Sequence, residues 1–342
     1  MKRLPYQEKV GEKMANIREI AKRAGVSVTT VSRVLNHHPY VKEEKRKLVL
    51  KAMKELKYTR NIQAVHLAKG YSNMLGIVLP NIEHSYFSGL VTGMAEKAQA
   101  CGMHFALFQT GYDPSKEKEA LMSLKERRVD GLIFCSNALS DEHIQKWQES
   151  GPTIFCHPTP HDQCSTVSIA HDQAFKEGLH HLAACGHERI AIVLARTEGA
   201  NSESRLQAYQ DMMHSLGQSI DEEWIIEGKL SLLDGKQLFA EWQKMKNRPT
   251  ALFITNDDVS AGFLLEAQRH DIKVGESPAI LSFQYNQLSE VLGISSIHIP
   301  LKQMGQEAFD LFDRALKGEK SEKRMLPFRL IERTTTVLKN NR

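Results

Sequence analysis

The chain has 342 residues, 41% hydrophobic and 25% charged, a balance that excludes a disordered chain, a collagen and a disulfide-framed miniprotein. No stretch reaches the roughly 18 consecutive apolar residues of a membrane helix, and the charged N-terminus lacks the apolar core of a secretory signal, so the expected location is the cytoplasm. Cys101, Cys135, Cys156, Cys164 and Cys185 form no Cys-x-x-Cys pair, which points to buried thiols and to neither a metal nor a cofactor.

The net charge of +4 is unevenly spread. Residues 1–70 carry 17 Lys and Arg against 6 Asp and Glu, whereas the remainder carries 28 against 35. A basic segment beside an acidic body suits a protein that meets a polyanion through one part only, because Lys and Arg displace the counterions condensed on phosphates.

Within the basic segment, Asn16 with Glu19 three residues on forms a capping box, and Ile17, Ile20, Ala21 and Ala24 follow one helix face until Gly25 ends it. Ser27 caps a second helix whose inner stripe is Val31, Val34 and Leu35, so Val28, Thr29, Ser32, Arg33 and Asn36 point outward. A third helix, Glu43 to Leu56, brings Leu48, Val49, Ala52, Met53 and Leu56 to close a three-helix core. This is a helix-turn-helix whose second helix offers a methyl-rich residue, hydroxyls and an arginine to the major groove.

After Asn73 the pattern becomes alternating strand and helix. Leu75–Leu79, Phe105–Phe108, Leu132–Cys135 and Ile154–Cys156 are short apolar runs separated by amphipathic stretches near 86–100, 115–127 and 141–149. The alternation continues with Val167–Ile169, a helix near 172–184, Ile190–Leu194, a helix near 203–215 and a strand near Trp224. Beyond it come helices near 235–246 and 258–269 flanking Leu252–Thr255, then Ile280–Phe283, a helix over Leu301–Leu316 and one strand over Leu326–Ile331. The expected fold is therefore α/β: a helix-turn-helix headpiece followed by two doubly wound lobes whose facing strand ends leave a cleft for a small ligand. No apolar heptads follow that would build a tetramerising coiled coil.

The string NIREIAKRAGVSVTTVSRVLN, with Tyr58, Asn61, Ala64 and Leu67 at the matching spacing, resembles the headpiece of the LacI/GalR family of bacterial transcriptional repressors. Asp130-Gly131, Gly186-His187, Arg205 with Tyr209, Asn256-Asp257 with Gly262, and Gly305 extend the likeness to that family's periplasmic-binding-protein-like effector domain. The resemblance implies a dimeric DNA-binding regulator of carbohydrate-utilisation genes that recognises a pseudo-palindromic operator. It implies DNA contacts from Asn16, Ser27, Val28, Thr29, Thr30, Ser32, Arg33, Asn36, Tyr58, Asn61, Ala64 and Leu67. The hinge, 61–70, folds on the operator in that family, and a leucine in the place of Leu67 wedges into the minor groove; by itself Leu67 reads as a core leucine.

For the cleft the resemblance implies a sugar or sugar phosphate held by Tyr86, Phe87, His157, Arg205, Asn256 and Gln284. By chemistry alone Phe87 also reads as core, and Asn256 as the cap of the helix beginning at Asp257. The implied domains are an extension or misplaced start over 1–13, a DNA-binding domain over 14–60, the hinge, and an effector domain over 73–338. Within the last, the first lobe is expected over about 73–165 plus 299–323 and the second over about 166–298 plus 324–338.

Three departures stand out. Arg60 replaces the usual proline before the hinge, Lys42 replaces a capping serine, and Ser282-Phe283-Gln284-Tyr285 replaces a Gly-aromatic-Asp-Asp run, so an effector-binding carboxylate becomes an amide. The look is nearest to Gram-positive catabolite control and maltodextrin regulators, which adds phosphorylated HPr as an alternative signal. No G-x-G-x-x-G after the first strand, phosphate loop, G-x-S-x-G elbow or H-E-x-x-H is present, so an enzyme is not expected.

Overall fold

The computed structural model describes residues 15–36, 38–58, 70–284 and 286–337, in two compact units divided after Gly70. The expected extension over 1–13, Arg60 and the hinge residues Asn61, Ala64 and Leu67 lie outside the described residues.

In the first unit, α1 (Ile17–Ala24) starts on the expected box: Asn16 Oδ1 accepts from the amides of Arg18 and Glu19 at 2.9 and 3.0 Å, and the Glu19 carboxylate accepts from Asn16 N at 3.0 Å. Gly25, in the left-handed region at φ 65°, turns the chain into Ser27, the cap of α2 (Val28–Leu35). Lys42 makes no side-chain cap for α3 (Glu43–Glu55), whose first turn instead carries Glu43 and Glu44 against the positive helix end. Ile20, Val31, Val34, Val49 and Ala52 form the core, with Met53, Leu56 and Tyr58 packed against it. Leu48, expected in that core, is half exposed: Val49, Ala52, Met53 and Leu56 share one face, and Leu48 sits about 100° around the helix from Val49.

The second unit contains two six-stranded sheets. The first is built from β1 (Met74–Leu79), β2 (His104–Gln109), β3 (Gly131–Phe134), β4 (Thr153–Phe155), β5 (Ser165–Ile169) and β11 (Lys323–Leu326), in the order β11-β5-β4-β3-β1-β2 and parallel throughout. The second takes β6 (Ile190–Val193), β7 (Ile225–Ile226), β8 (Ala251–Ile254), β9 (Ala279–Gln284), β10 (Ser295–His298) and β12 (Arg329–Ile331), in the order β12-β10-β9-β8-β6-β7, with β12 antiparallel. The first lobe thus reaches Ile169 and reclaims 323–326, beyond the expected limits of 165 and 323. The single strand expected over Leu326–Ile331 is two strands in different sheets, separated at Pro327, which has no N–H for a ladder. Around Trp224 a 3₁₀ turn, Glu222–Trp224, precedes β7.

The helices are α4 (Ser85–Ala100), α5 (Pro114–Lys125), α6 (Asp141–Gln145), α7 (His171–Ala184), α8 (Ala200–Ser215), α9 (Leu232–Lys244), α10 (Asp257–Arg269), α11 (Gln287–Val291) and α12 (Leu301–Leu316). A Cβ on Gly305 of α12 would stand 2.0 Å from the carbonyl oxygen of Leu90, and one on Gly93 of α4 would stand 2.0 Å from that of Lys302, so these two helices meet backbone to backbone. Among the described residues no helix is long and apolar enough to cross a membrane.

Candidate DNA-reading face and candidate effector cleft

On α2 the side chains divide by helical period. Val31 and Val34 are buried, while Val28, Thr29, Arg33 and Asn36 are exposed and Ser32 is half exposed. Thr29, Arg33 and Asn36 are spaced four and three apart, so they share one face with Val28 and Ser32. Ser27 and Thr30 are tied to each other: the Ser27 hydroxyl accepts from Thr30 N at 3.2 Å and lies 2.9 Å from Thr30 Oγ1. Asn16 spends its amide oxygen on the α1 cap, and Tyr58 packs against the core. The result is a basic three-helix unit that presents methyl, hydroxyl and guanidinium groups on one narrow surface.

In the second unit the expected cleft residues come from the carboxyl ends of strands, where a doubly wound sheet leaves its crevice. His84 caps α4 by accepting from Tyr86 N through Nδ1 at 3.2 Å. Phe87, at 7% exposure, backs the rings of Tyr86 and His84 from within the core, so it supports the cleft wall; the core reading of this residue is the one realised. His157 follows β4 and approaches the Asp141 carboxylate at 3.1 Å. Desolvation raises the Asp141 pKa, but His157 and the hydrogen bonds outweigh it and hold the carboxyl below its usual range.

From the other lobe, Asn256 realises the cap reading and also reaches toward the first lobe. Its Oδ1 caps α10 by accepting from Asp258 N at 2.8 Å, while Nδ2 donates to Leu230 O at 3.0 Å and faces Nε2 of His84 at 3.3 Å. Gln284 Nε2 donates to Ser85 Oγ at 2.8 Å, and that hydroxyl donates to Asp258 Oδ2 at 3.1 Å. The two lobes are therefore bridged along one side of the cleft. A groove of about 850 Å³ bordered by Ser85, Asp258, Gln284, Asn286 and Lys302 opens beside this bridge. A further contact between the lobes places the Arg196 guanidinium 3.7 Å over the ring of Tyr112.

Arg205, on α8, stacks over Phe283 at 4.8 Å and brings Nη2 to 3.3 Å from His171 Nδ1. Burial pulls its pKa down to about 10, against the opposing pull of Tyr86 and Tyr112, so it remains charged at neutral pH. Burial also drives Tyr86 upward and His171 far below the usual imidazole range, so the phenol stays protonated and the imidazole neutral. Arg205 Nε, His171 Nε2 and Gln284 Oε1 are buried atoms with no hydrogen-bond partner. His84, Ser85, Tyr112, His171 and Arg196 were not among the expected cleft residues. Their common signal is position, each lying in the segment just after a strand. Among the described residues no cluster of His, Cys, Asp or Glu is arranged to hold a metal.

Residues 16–61 match the family described as bacterial regulatory proteins, lacI family, and residues 72–334 match periplasmic binding proteins and the sugar binding domain of the LacI family. The uncharacterized HTH-type transcriptional regulator YkvZ of Bacillus subtilis is 49% identical, over 94% of this chain and all of that protein. Catabolite control protein B of the same organism is 37% identical, over 87% of this chain and 94% of its own length. The fold is shared with a lac repressor dimer bound to operator and the anti-inducer ONPF, at a TM-score of 0.81 and 24% identity over 95% of this chain and all of that one. The chain belongs to the LacI family: it is a DNA-binding transcriptional regulator, not an enzyme, whose headpiece is joined to the family's sugar-binding domain.

Proposed function

We propose that this regulator is a homodimeric repressor of carbohydrate-utilisation genes, acting in the cytoplasm and controlled by a small molecule in the cleft. Val28, Thr29, Thr30, Ser32, Arg33 and Asn36 read base edges of one operator half-site, with Asn16, Ser27 and Tyr58 positioning the headpiece on phosphates. By the family resemblance, Asn61, Ala64 and Leu67 contact the minor groove of the operator. One helix-turn-helix covers one half-site, so a pseudo-palindrome calls for a two-fold dimer.

The observation that carries ligand control is the cleft itself. Its lobes meet through His84 with Asn256 and Arg196 with Tyr112, yet Arg205 Nε and His171 Nε2 are buried in it without partners. Buried polar groups are rarely left unpaired, and a ligand's oxygens would satisfy both donors.

The test selects an operator from random duplexes, then measures its affinity and the oligomeric state by sedimentation, with and without sugars and sugar phosphates. An inverted repeat bound by a dimer whose affinity shifts with a small molecule supports the reading. A response to phosphorylated HPr alone transfers control from the cleft to a protein surface and refutes the ligand-controlled part.

A further inference from the structure

The contact between Arg205 and His171 fixes the tautomer of the histidine. Arginine has only donors, so Nδ1 of His171 must be the acceptor at 3.3 Å, and the proton of the neutral ring is on Nε2. Nε2 of His171 and Nε of Arg205 are thus two buried N–H donors on adjacent side chains, neither with an acceptor.

Their surroundings give the charge they await. Among the described residues no carboxylate makes an ion pair with Arg205. Its close neighbours are the neutral imidazole, the ring of Phe283 and, in the electrostatics, the phenols of Tyr86 and Tyr112. A hydroxyl oxygen would fill the hydrogen-bonding vacancy but leave a desolvated guanidinium without a counter-charge, which is the expensive arrangement for a buried ion. An anionic oxygen corrects both deficits, and Arg205 then makes a charge-assisted bond of the stronger kind. Tyr86, and the face of the Tyr112 ring that Arg196 does not cover, put aromatic surface near Arg205, which suits the C–H bonds of a sugar.

We propose that the ligand of this cleft is an acidic sugar, a polyhydroxylated ring bearing a carboxylate or a phosphate ester, whose anionic oxygens accept from Arg205 Nε and His171 Nε2. The inference rests on the cleft being the effector site. His171 is a specificity residue: as the acceptor for Arg205 it holds the guanidinium edge in place, and as a donor it shares the anion.

The experiment titrates the full-length protein calorimetrically with D-glucuronate, D-galacturonate and glucose 6-phosphate, against D-glucose and maltose at matched ionic strength, and measures operator affinity with each. The expected result is binding by an acidic probe, a carboxylate if glucuronate or galacturonate binds and a phosphate ester if glucose 6-phosphate does. Arg205→Met and His171→Phe should each weaken it by about 10- to 100-fold. His171→Gln, which keeps one acceptor and one donor, should recover most of the loss, a rescue that a purely structural role would not give. Binding by a neutral sugar that Arg205→Met leaves unchanged, or failure of all three acidic probes to bind, overturns the assignment. If an acidic probe binds in an Arg205-dependent way and operator affinity does not move, the ligand class stands and effector control is what fails.

Discussion

Nε2 of His84 in the first lobe lies 3.3 Å from Nδ2 of Asn256 in the second, while Nδ1 of the same imidazole accepts from Tyr86 N at 3.2 Å. The Asn256 amide cannot simply be reversed, because its Oδ1 is held by the α10 cap. A neutral imidazole has one lone pair, and here two donors approach its two nitrogens. Only one of those bonds is made at a time, so the bridge between the lobes is under-satisfied when closed. In a double-mutant cycle of His84→Ala and Asn256→Ala, the Asn256 change should cost about 0.5–2 kcal/mol through the lost cap. The coupling between the two should be small, below about 1 kcal/mol. Denaturant unfolding of the four proteins measures both, and a coupling well above that value would mean the bridge is fully hydrogen-bonded.

Acid should loosen the second unit. His84, His171, His181 and His298 are all held below the usual imidazole value of 6.5, chiefly by burial. The unfolded chain therefore binds more protons than the folded one once the pH drops through that value, and folding stability declines as the pH falls further. Melting temperature should be flat above about pH 7 and decrease toward about pH 5.5. His171→Gln, which does not titrate, should make the acid slope shallower. A slope identical to that of the wild type would show that His171 does not stay neutral in the folded protein.

Arg33 is exposed on the outward face of α2, one turn from Thr29. If it reads a base edge, Arg33→Ala should cost about 1–3 kcal/mol on the operator and much less on random duplex. The headpiece core should be unaffected, because Ile20, Val31 and Val49 carry it. Fluorescence anisotropy on both duplexes decides this: equal losses would reassign Arg33 to a phosphate.

The headpiece was almost wholly legible because its signals are local. Asn16, Glu19, Gly25 and Ser27 act within three or four residues of themselves, and the buried stripe follows one helical period. In the cleft, Asn256 was legible as a helix cap, and Arg205 was singled out by family position alone. His171 carries no such mark: it is one histidine among 15, and its role comes from α8 folding back to place Arg205 beside it. The exchange of strands between lobes was hidden for a related reason. Leu326 and Arg329 are three residues apart and read as one apolar run, yet their ladder partners are Ile169 and His298, 157 and 31 residues away. Local pattern shows that strands exist, whereas long-range pairing decides which sheet receives them.

Gly305 gives the sharpest stability prediction. A Cβ at this position meets the Leu90 carbonyl oxygen at 2.0 Å, the Leu90 carbonyl carbon at 2.9 Å and Met94 N at 3.1 Å, all backbone atoms that cannot rotate away. Gly305→Ala normally favours a helix by up to about 1 kcal/mol, because alanine is the better helix former. Here that gain is opposed by forcing α12 away from α4, an overpacking cost of about 1–3 kcal/mol or more, and the contact is repeated at Gly93 against Lys302 O. The net effect should be a lower melting temperature. Gly93→Ala should do the same, and the double mutant should lose less than the sum, since helices already parted by one methyl accommodate the second. Calorimetry of the three variants tests the geometry directly: a Gly305→Ala protein as stable as the wild type would show that the two helices do not pack at this distance.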